Sequence, residues 1–151
     1  MIVGDYMTTS KKHNVIFLDY DGVISIPSDN FKENIVNEQA IKYLNQLCLD
    51  FDFDLVISSS WRKYPKYKDL FYSFGIDKDI KILGCTEINN KGRVEQVRDY
   101  IKEHEHEIDK YLILDDAYFP GHLGEHCVQC PPNMGFTKNK YIEALDKIQN
   151  I

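Results

Sequence analysis

The chain has 151 residues, 43% hydrophobic and 28% charged, with a net charge of −6 and a pI near 5.3. That is one domain of ordinary size with enough apolar material for a real core. The acidic balance excludes a protein whose whole surface binds nucleic acid and leaves room only for a local basic patch.

The segment from Met1 to Lys12 holds no apolar stretch of signal-peptide length, so nothing argues for secretion, and a cytoplasmic location is expected. Met7 is a second candidate start, and 1–13 reads as an arm ahead of a single domain, 14–151. The longest apolar runs, such as Val15 to Leu18, are strand-length and fall far short of the roughly 18 residues of a membrane span. Cys48, Cys85, Cys127 and Cys130 read as reduced thiols rather than a disulfide framework.

The first strand is expected over Asn14 to Leu18, apolar and followed by Asp19-Tyr20-Asp21-Gly22. Ser25 to Asn37 reads as the longest irregular piece, with a turn at Pro27-Ser28-Asp29-Asn30. Glu38 to Leu49 spaces Ile41, Leu44, Leu47 and Cys48 as one helical face. Asp54 to Ile57 is a second strand, ending in Ser58-Ser59-Ser60, and Tyr64 to Phe74 a helix stopped by Gly75. Ile80 to Leu83 is a third strand, closed by Gly84, and Gly92 to His104 a helix with Val94, Val97, Tyr100 and Ile101 on one face. Tyr111 to Leu114 runs into Asp115-Asp116 as a fourth strand, and His126 to Gln129 is a weaker fifth. Thr137 caps a last amphipathic helix. Apolar strands alternating with helices predict an α/β, Rossmann-like three-layer sandwich around a mostly parallel five-stranded sheet.

Ligands of open parallel sheets lie beyond the carboxyl ends of the strands. Asp19 and Asp21 come after strand one, Ser58 after strand two, and Asp115 and Asp116 after strand four. Lys91 and Arg93 open the helix after strand three. Clustered carboxylates repel unless a cation lies among them. Magnesium suits such a site, because it prefers oxygen ligands and bridges carboxylates to phosphate. One carboxylate can then attack phosphorus and another carry protons, while a hydroxyl and a cation hold the phosphoryl oxygens.

The segment Val15 to Val23, with Asp-x-Asp-Gly after an apolar strand, resembles the first motif of the haloacid dehalogenase-like (HAD) hydrolase superfamily. Leu55-Val56-Ile57-Ser58 resembles the second, Arg93 the third, and Leu112-Ile113-Leu114-Asp115-Asp116 the fourth. The resemblance implies a magnesium-dependent phosphatase with Asp19 as nucleophile, passing through an aspartyl-phosphate. Asp21 would be the general acid and then the base, with its backbone carbonyl on the metal. Asp19 and Asp116 would supply carboxylate oxygens to Mg2+, with Asp115 as a ligand through water or a support behind the ligands. Ser58 would hold the phosphoryl group and Arg93 would neutralise it. Ser59 or Ser60 could replace Ser58 if the strand ended later, and Lys91 could replace Arg93. The second acid, Asp21, favours phosphate chemistry, since dehalogenases lack it.

Positions 21 and 58 are 37 apart and positions 58 and 93 are 35 apart, too little for a substantial cap domain. An open site suits a large phosphorylated substrate, such as a nucleic-acid end or a phosphoprotein. The chain is most similar to capless HAD domains of RNA-repair proteins, with phosphatase domains of polynucleotide kinases as relatives. Ser58 to Arg62, the helix from Arg93 to Ile101 and the turn Gly135-Phe136-Thr137 carry that finer likeness. A protein phosphatase or phosphotransferase on the same scaffold, a non-catalytic binding module of the same shape, and a domain acting beside a kinase or ligase are the rival expectations.

Trp61 to Lys68 interleaves four basic residues with three aromatics, a composition that could dock single-stranded nucleic acid. Tyr64 and Tyr67 read as core-facing, and Arg62 as the substrate contact, beside Ser59 and Lys91. His122, His126, Cys127 and Cys130 have zinc-like spacing, but a strand through His126 and Cys127 would send adjacent ligands to opposite faces.

Overall fold

The computed structural model describes residues 12–151. Most of the expected arm therefore lies outside the described residues, and its last residue, His13, already belongs to the first strand. The main sheet comprises β1 (His13–Leu18), β4 (Phe53–Ile57), β5 (Ile82–Cys85), β6 (Ile108–Asp115) and β7 (Cys127–Gln129). Its order is β5-β4-β1-β6-β7, and every pairing is parallel. Parallel strands need crossovers, and four helices lie in them, α1 (Glu38–Phe51), α2 (Tyr67–Ser73), α3 (Arg93–Glu103) and α4 (His122–Glu125), while α5 (Lys138–Asn150) follows the last strand. The α/β Rossmann-like sandwich is the observed fold, with no cap among the described residues.

The sheet is buried on both faces because its central strands carry continuous apolar runs, Val15–Leu18, Leu55–Ile57 and Leu112–Leu114, with alternate side chains pointing opposite ways. Ile16 and Leu18 of β1, Leu55 and Ile57 of β4, and Leu112 and Leu114 of β6 pack with Leu44 and Leu47 of α1, Phe71 of α2 and Ile148 of α5. Val15, Phe17, Val56 and Ile113 form the second core with Val97 of α3 and Leu123 of α4. Local signals set the helix ends. The Asn37 side chain accepts the Ala40 N–H at 2.8 Å, and Thr137 Oγ1 accepts the Lys140 N–H at 3.3 Å.

Three expected elements take another form, and the short helix α4 is one the sequence reading did not contain. The piece between Ser25 and Val36 is a β-hairpin, β2 (Ser25–Pro27) with β3 (Asn34–Val36), antiparallel and only three pairs long. Strands this short carry too few residues for alternation to register. The helix expected at 64–74 begins only at Tyr67, as α2, and a separate 3-10 turn, Ser60–Lys63, precedes it. Pro65 disfavours helical backbone at the residue before it, and Tyr64 is extended (φ −76°, ψ 134°). Strand β5 runs through Gly84, which pairs with Val56, instead of stopping there.

Arg62 is buried and joins the carboxyl ends of β4 and β5 to α3. Its guanidinium donates to the carbonyls of Ser58, Ser59, Thr86 and Glu87 and to Gln96 Oε1, at 2.8–3.2 Å. A planar fork of five donors suits this set of acceptors, and an ammonium does not. Arg62→Met is therefore expected to destabilise the fold by about 2–4 kcal/mol, because it strands buried acceptors, and Arg62→Lys by a smaller amount. Urea unfolding would measure both, and a loss below about 0.5 kcal/mol for the methionine variant would contradict this role.

Candidate active site

Strand β1 lies between β4 and β6, in register from Ile16 to Leu18 with Leu55 to Ile57 on one side and Leu112 to Leu114 on the other. All three strands point the same way, so the residues at their carboxyl ends meet at one edge. Asp19 leaves β1, Ser58 leaves β4, Asp115 closes β6, and Asp116 follows it. Carboxylate oxygens of Asp19, Asp115 and Asp116 all lie within 4.8 Å of one another. Asp19 and Asp115 are almost wholly buried, and Asp116 is half-buried.

One guanidinium reaches into this group. Arg93 Nη1 is 2.6 Å from Asp115 Oδ2 and 3.2 Å from Asp19 Oδ2. Lys91 is directed elsewhere: its ammonium lies on the surface and pairs with Asp99 at 3.1 Å. Of the two candidate cations, Arg93 is thus the one at the carboxylates. Asp115 is engaged on both oxygens, since Oδ1 accepts the Ala117 N–H at 3.0 Å. It holds Arg93 in place. Asp19 Oδ1 accepts the N–H of Tyr20 at 2.8 Å.

Three carboxylates share one guanidinium, and the electrostatics record the deficit. Burial, with the charge of Asp115 as the second cause, raises the Asp19 carboxyl from 3.8 to about 7, against the lowering pull of Arg93. Burial and then Asp115 also raise Asp116. Burial alone would lower Arg93, but Asp19 and Asp115 outweigh it and raise the guanidinium. With all three acids ionised, two negative charges lack a counter-charge. A divalent, oxygen-seeking cation fits that donor set.

Ser58 is fully buried at the same edge, and its Oγ has no hydrogen-bond partner among the described residues. A buried hydroxyl left unpaired is costly, and a ligand oxygen would satisfy it. Strand β4 ends at Ile57, so Ser58 is the first residue beyond it. Ser59 Oγ instead accepts the Trp61 N–H at 3.1 Å and caps the 3-10 turn, and Ser60 begins that turn. Arg62, expected as a substrate contact, faces the interior, where its donors are already engaged with carbonyl oxygens and Gln96.

Asp21 is exposed, and the hairpin holds it. Its Oδ1 accepts from Ser25 Oγ and from Asn34 Nδ2, both at 3.2 Å. Asn34 is a site residue that sequence reasoning missed. It lies 13 positions away in a segment without periodic signal, and only the β2–β3 pairing brings it back. Gly22 completes the loop for two reasons. Its φ is +79°, and a Cβ there would stand 2.7 Å from Asp116 Oδ2. The glycine of Asp-x-Asp-Gly thus leaves room for the acid of another strand.

Residues 15–141 match the family described as the HAD domain in Swiss Army Knife RNA repair proteins. No curated protein matches the chain. Among the described residues, no helix is long and apolar enough to cross a membrane. The match covers β1 through the start of α5 and includes all four motif segments, so this chain belongs to the HAD domain family of Swiss Army Knife RNA repair proteins.

Proposed function

We propose that this domain is a magnesium-dependent phosphomonoesterase that works through an aspartyl-phosphate on Asp19 and acts on nucleic-acid ends. The observation that carries this reading is the meeting of Asp19, Asp115, Asp116 and Arg93 beside the unpaired hydroxyl of Ser58. Membership of a family found in RNA-repair proteins supports a phosphorylated nucleic-acid end as substrate.

The roles come from position. Ser58 Oγ would donate to a phosphoryl oxygen, and Arg93 would neutralise another. A carboxylate oxygen of Asp19 attacks phosphorus, and the bond to the leaving oxygen breaks. Asp21, held by Ser25 and Asn34, gives its proton to that leaving oxygen. The Asp21 carboxylate then takes a proton from water, which attacks phosphorus, frees Asp19 and yields inorganic phosphate. The Asp19 and Asp116 carboxylates and the Asp21 carbonyl would hold Mg2+, which supplies charge neutralisation to the phosphoryl oxygens. Asp115, with both oxygens engaged, supports Arg93 from behind.

Phosphate release should be measured with and without magnesium on an aryl phosphate, mononucleotides, oligonucleotides with a 3′- or 5′-phosphate, and phosphopeptides. Magnesium-dependent release from the oligonucleotides is expected. Asp19→Asn should lower it by ~10³-fold or more, because an amide cannot form the acyl-phosphate. Turnover retained in that variant would refute the nucleophile.

Asn34→Ala frees Asp21 to rotate without removing it. Its kcat should fall about 5- to 50-fold, less than the full 10²–10⁴ of a lost general acid–base, with KM little changed. A wild-type kcat would remove Asn34 from the site.

The raised carboxyl of Asp19 has a stability consequence. Between about pH 4 and pH 7 the unfolded state has released a proton that the folded state keeps, so metal-free stability falls as pH rises through that window. Asp19→Asn should flatten this slope and raise the metal-free melting temperature at pH 7.5 by roughly 3–8 °C, about 1–2 kcal/mol at this chain length. It should also shrink the gain that wild type receives from added magnesium. Parallel melting curves for the two chains, with and without metal, would contradict the charge deficit.

A further inference from the structure

Beside the site lies an open, apolar groove of about 570 Å³ lined by Trp61, Tyr64, Pro65, Lys66 and Leu70. A continuous row of rings connects it to the catalytic loop. Tyr20 stands between Asp19 and Asp21 in the chain, and its ring centroid is 5.0 Å from that of Trp61. The Trp61 ring is 5.5 Å from that of Tyr64. Tyr20 is buried against Phe71 and Phe74, which anchors the row at its inner end. Its outer end is bare: Tyr64 is 56% exposed, although a core position was expected for it. Tyr67, expected to face inward as well, does pack against the core.

The charges at this end run against the acidity of the whole chain. Lys63, Lys66 and Lys68 are exposed, and none is paired with a carboxylate among the described residues. Arg62, the fourth basic residue of the segment, points inward, so the exposed basic residues of the segment are the three lysines, of which Lys66 lines the groove itself. An aromatic face with cations at its margin is complementary to a base joined to a phosphate chain.

We propose that this groove is a stacking subsite for an unpaired base of a single-stranded nucleic-acid end. The base would lie on Tyr64 and Trp61, and the lysines would face its phosphates. The proposal rests on the reading of the adjoining site as a phosphatase of nucleic-acid ends, and it assigns the substrate's recognition to residues outside the chemistry. Stacking on rings reads no sequence, so the subsite would accept any base and select for strand ends that are not paired.

Binding can be tested without turnover. A fluorescein-labelled, unphosphorylated single-stranded oligonucleotide is titrated with the full chain and read by anisotropy. An abasic strand of the same length and charge and a phosphopeptide are titrated alongside. The normal strand is expected to bind about 5- to 100-fold more tightly than the abasic one. Tyr64→Ala should weaken the normal strand by about fivefold or more and leave the abasic strand unaltered, while Tyr64→Phe, which keeps the ring, should bind within about twofold of wild type.

Equal affinity for normal and abasic strands, no oligonucleotide binding, or a phosphopeptide that alone responds to Tyr64→Ala would each overturn the subsite. The strand comparison uses the wild-type chain, so it holds whether or not a variant folds. Absence of phosphate release from every substrate would sink the phosphatase reading and leave this titration to decide the groove separately.

Discussion

The contact between Arg93 and the buried acids Asp19 and Asp115 is the constraint on which the site depends. Two carboxylates in a nearly dry setting repel each other, and a third, Asp116, lies beside them. One guanidinium offsets only part of this charge, and burial, followed by the charge of Asp115, raises the carboxyl of Asp19 to about 7. The parallel sheet keeps the acids together regardless, because β1 is paired on both sides and cannot retreat from β6. The fold therefore retains an electrostatic cost at its edge, and a divalent cation with a phosphate would relieve it.

Around this edge the structure divides labour between rigid and adjustable parts. Asp19, Ser58 and Asp115 stand at the ends of buried central strands, where the core leaves little freedom. Arg62 makes the β4 end stiffer by collecting the carbonyls of Ser58, Ser59, Thr86 and Glu87. Asp21, by contrast, is exposed and is steadied by a two-stranded hairpin whose tip residue, Phe31, is 79% exposed. On the proposed mechanism, the acid that gives and then takes a proton stands on the adjustable side, and the nucleophile and the phosphoryl contacts stand on the rigid side. A row of ring contacts through the buried Tyr20 and through Trp61 links the loop that carries Asp19 and Asp21 to the exposed Tyr64 of the aromatic groove.

Much of this was legible before the structure. Val15 to Leu18, Leu55 to Ile57 and Leu112 to Leu114 are continuous apolar runs that end in polar residues, and burial on both sheet faces requires that pattern. It disclosed the layers, the strand ends and hence the positions of Asp19, Ser58, Asp115 and Asp116. The helices α1 and α3 were equally plain, because their apolar residues recur at helical spacing. The features that stayed hidden were short or depended on side-chain direction. Three-residue strands carry no usable period, so the hairpin and Asn34 were not seen. The segment from Trp61 to Lys68 was read with Arg62 outward and Tyr64 inward, and the structure has them the other way round. A single 3-10 turn before Pro65 decides this, and no periodicity extends across so few residues.

The sequence by itself determined the family, the parallel sheet and the identity of the acids, since these depend on residue type and on patterns several residues long. Only the tertiary structure decided which cation meets the acids, which serine presents a free hydroxyl, which residue steadies Asp21 and which ring faces outward. Arg93 and Lys91 are two positions apart and both cationic, yet Arg93, the first residue of α3, meets Asp19, and Lys91, ahead of the helix, pairs with Asp99 on the surface. Gly22 could be read as a turn residue from its type, but its second reason, the close approach of the Asp116 carboxylate, comes from a strand more than ninety positions away. Contacts between distant segments are fixed by how the layers pack, and that information is carried by the whole chain at once rather than by any stretch of it.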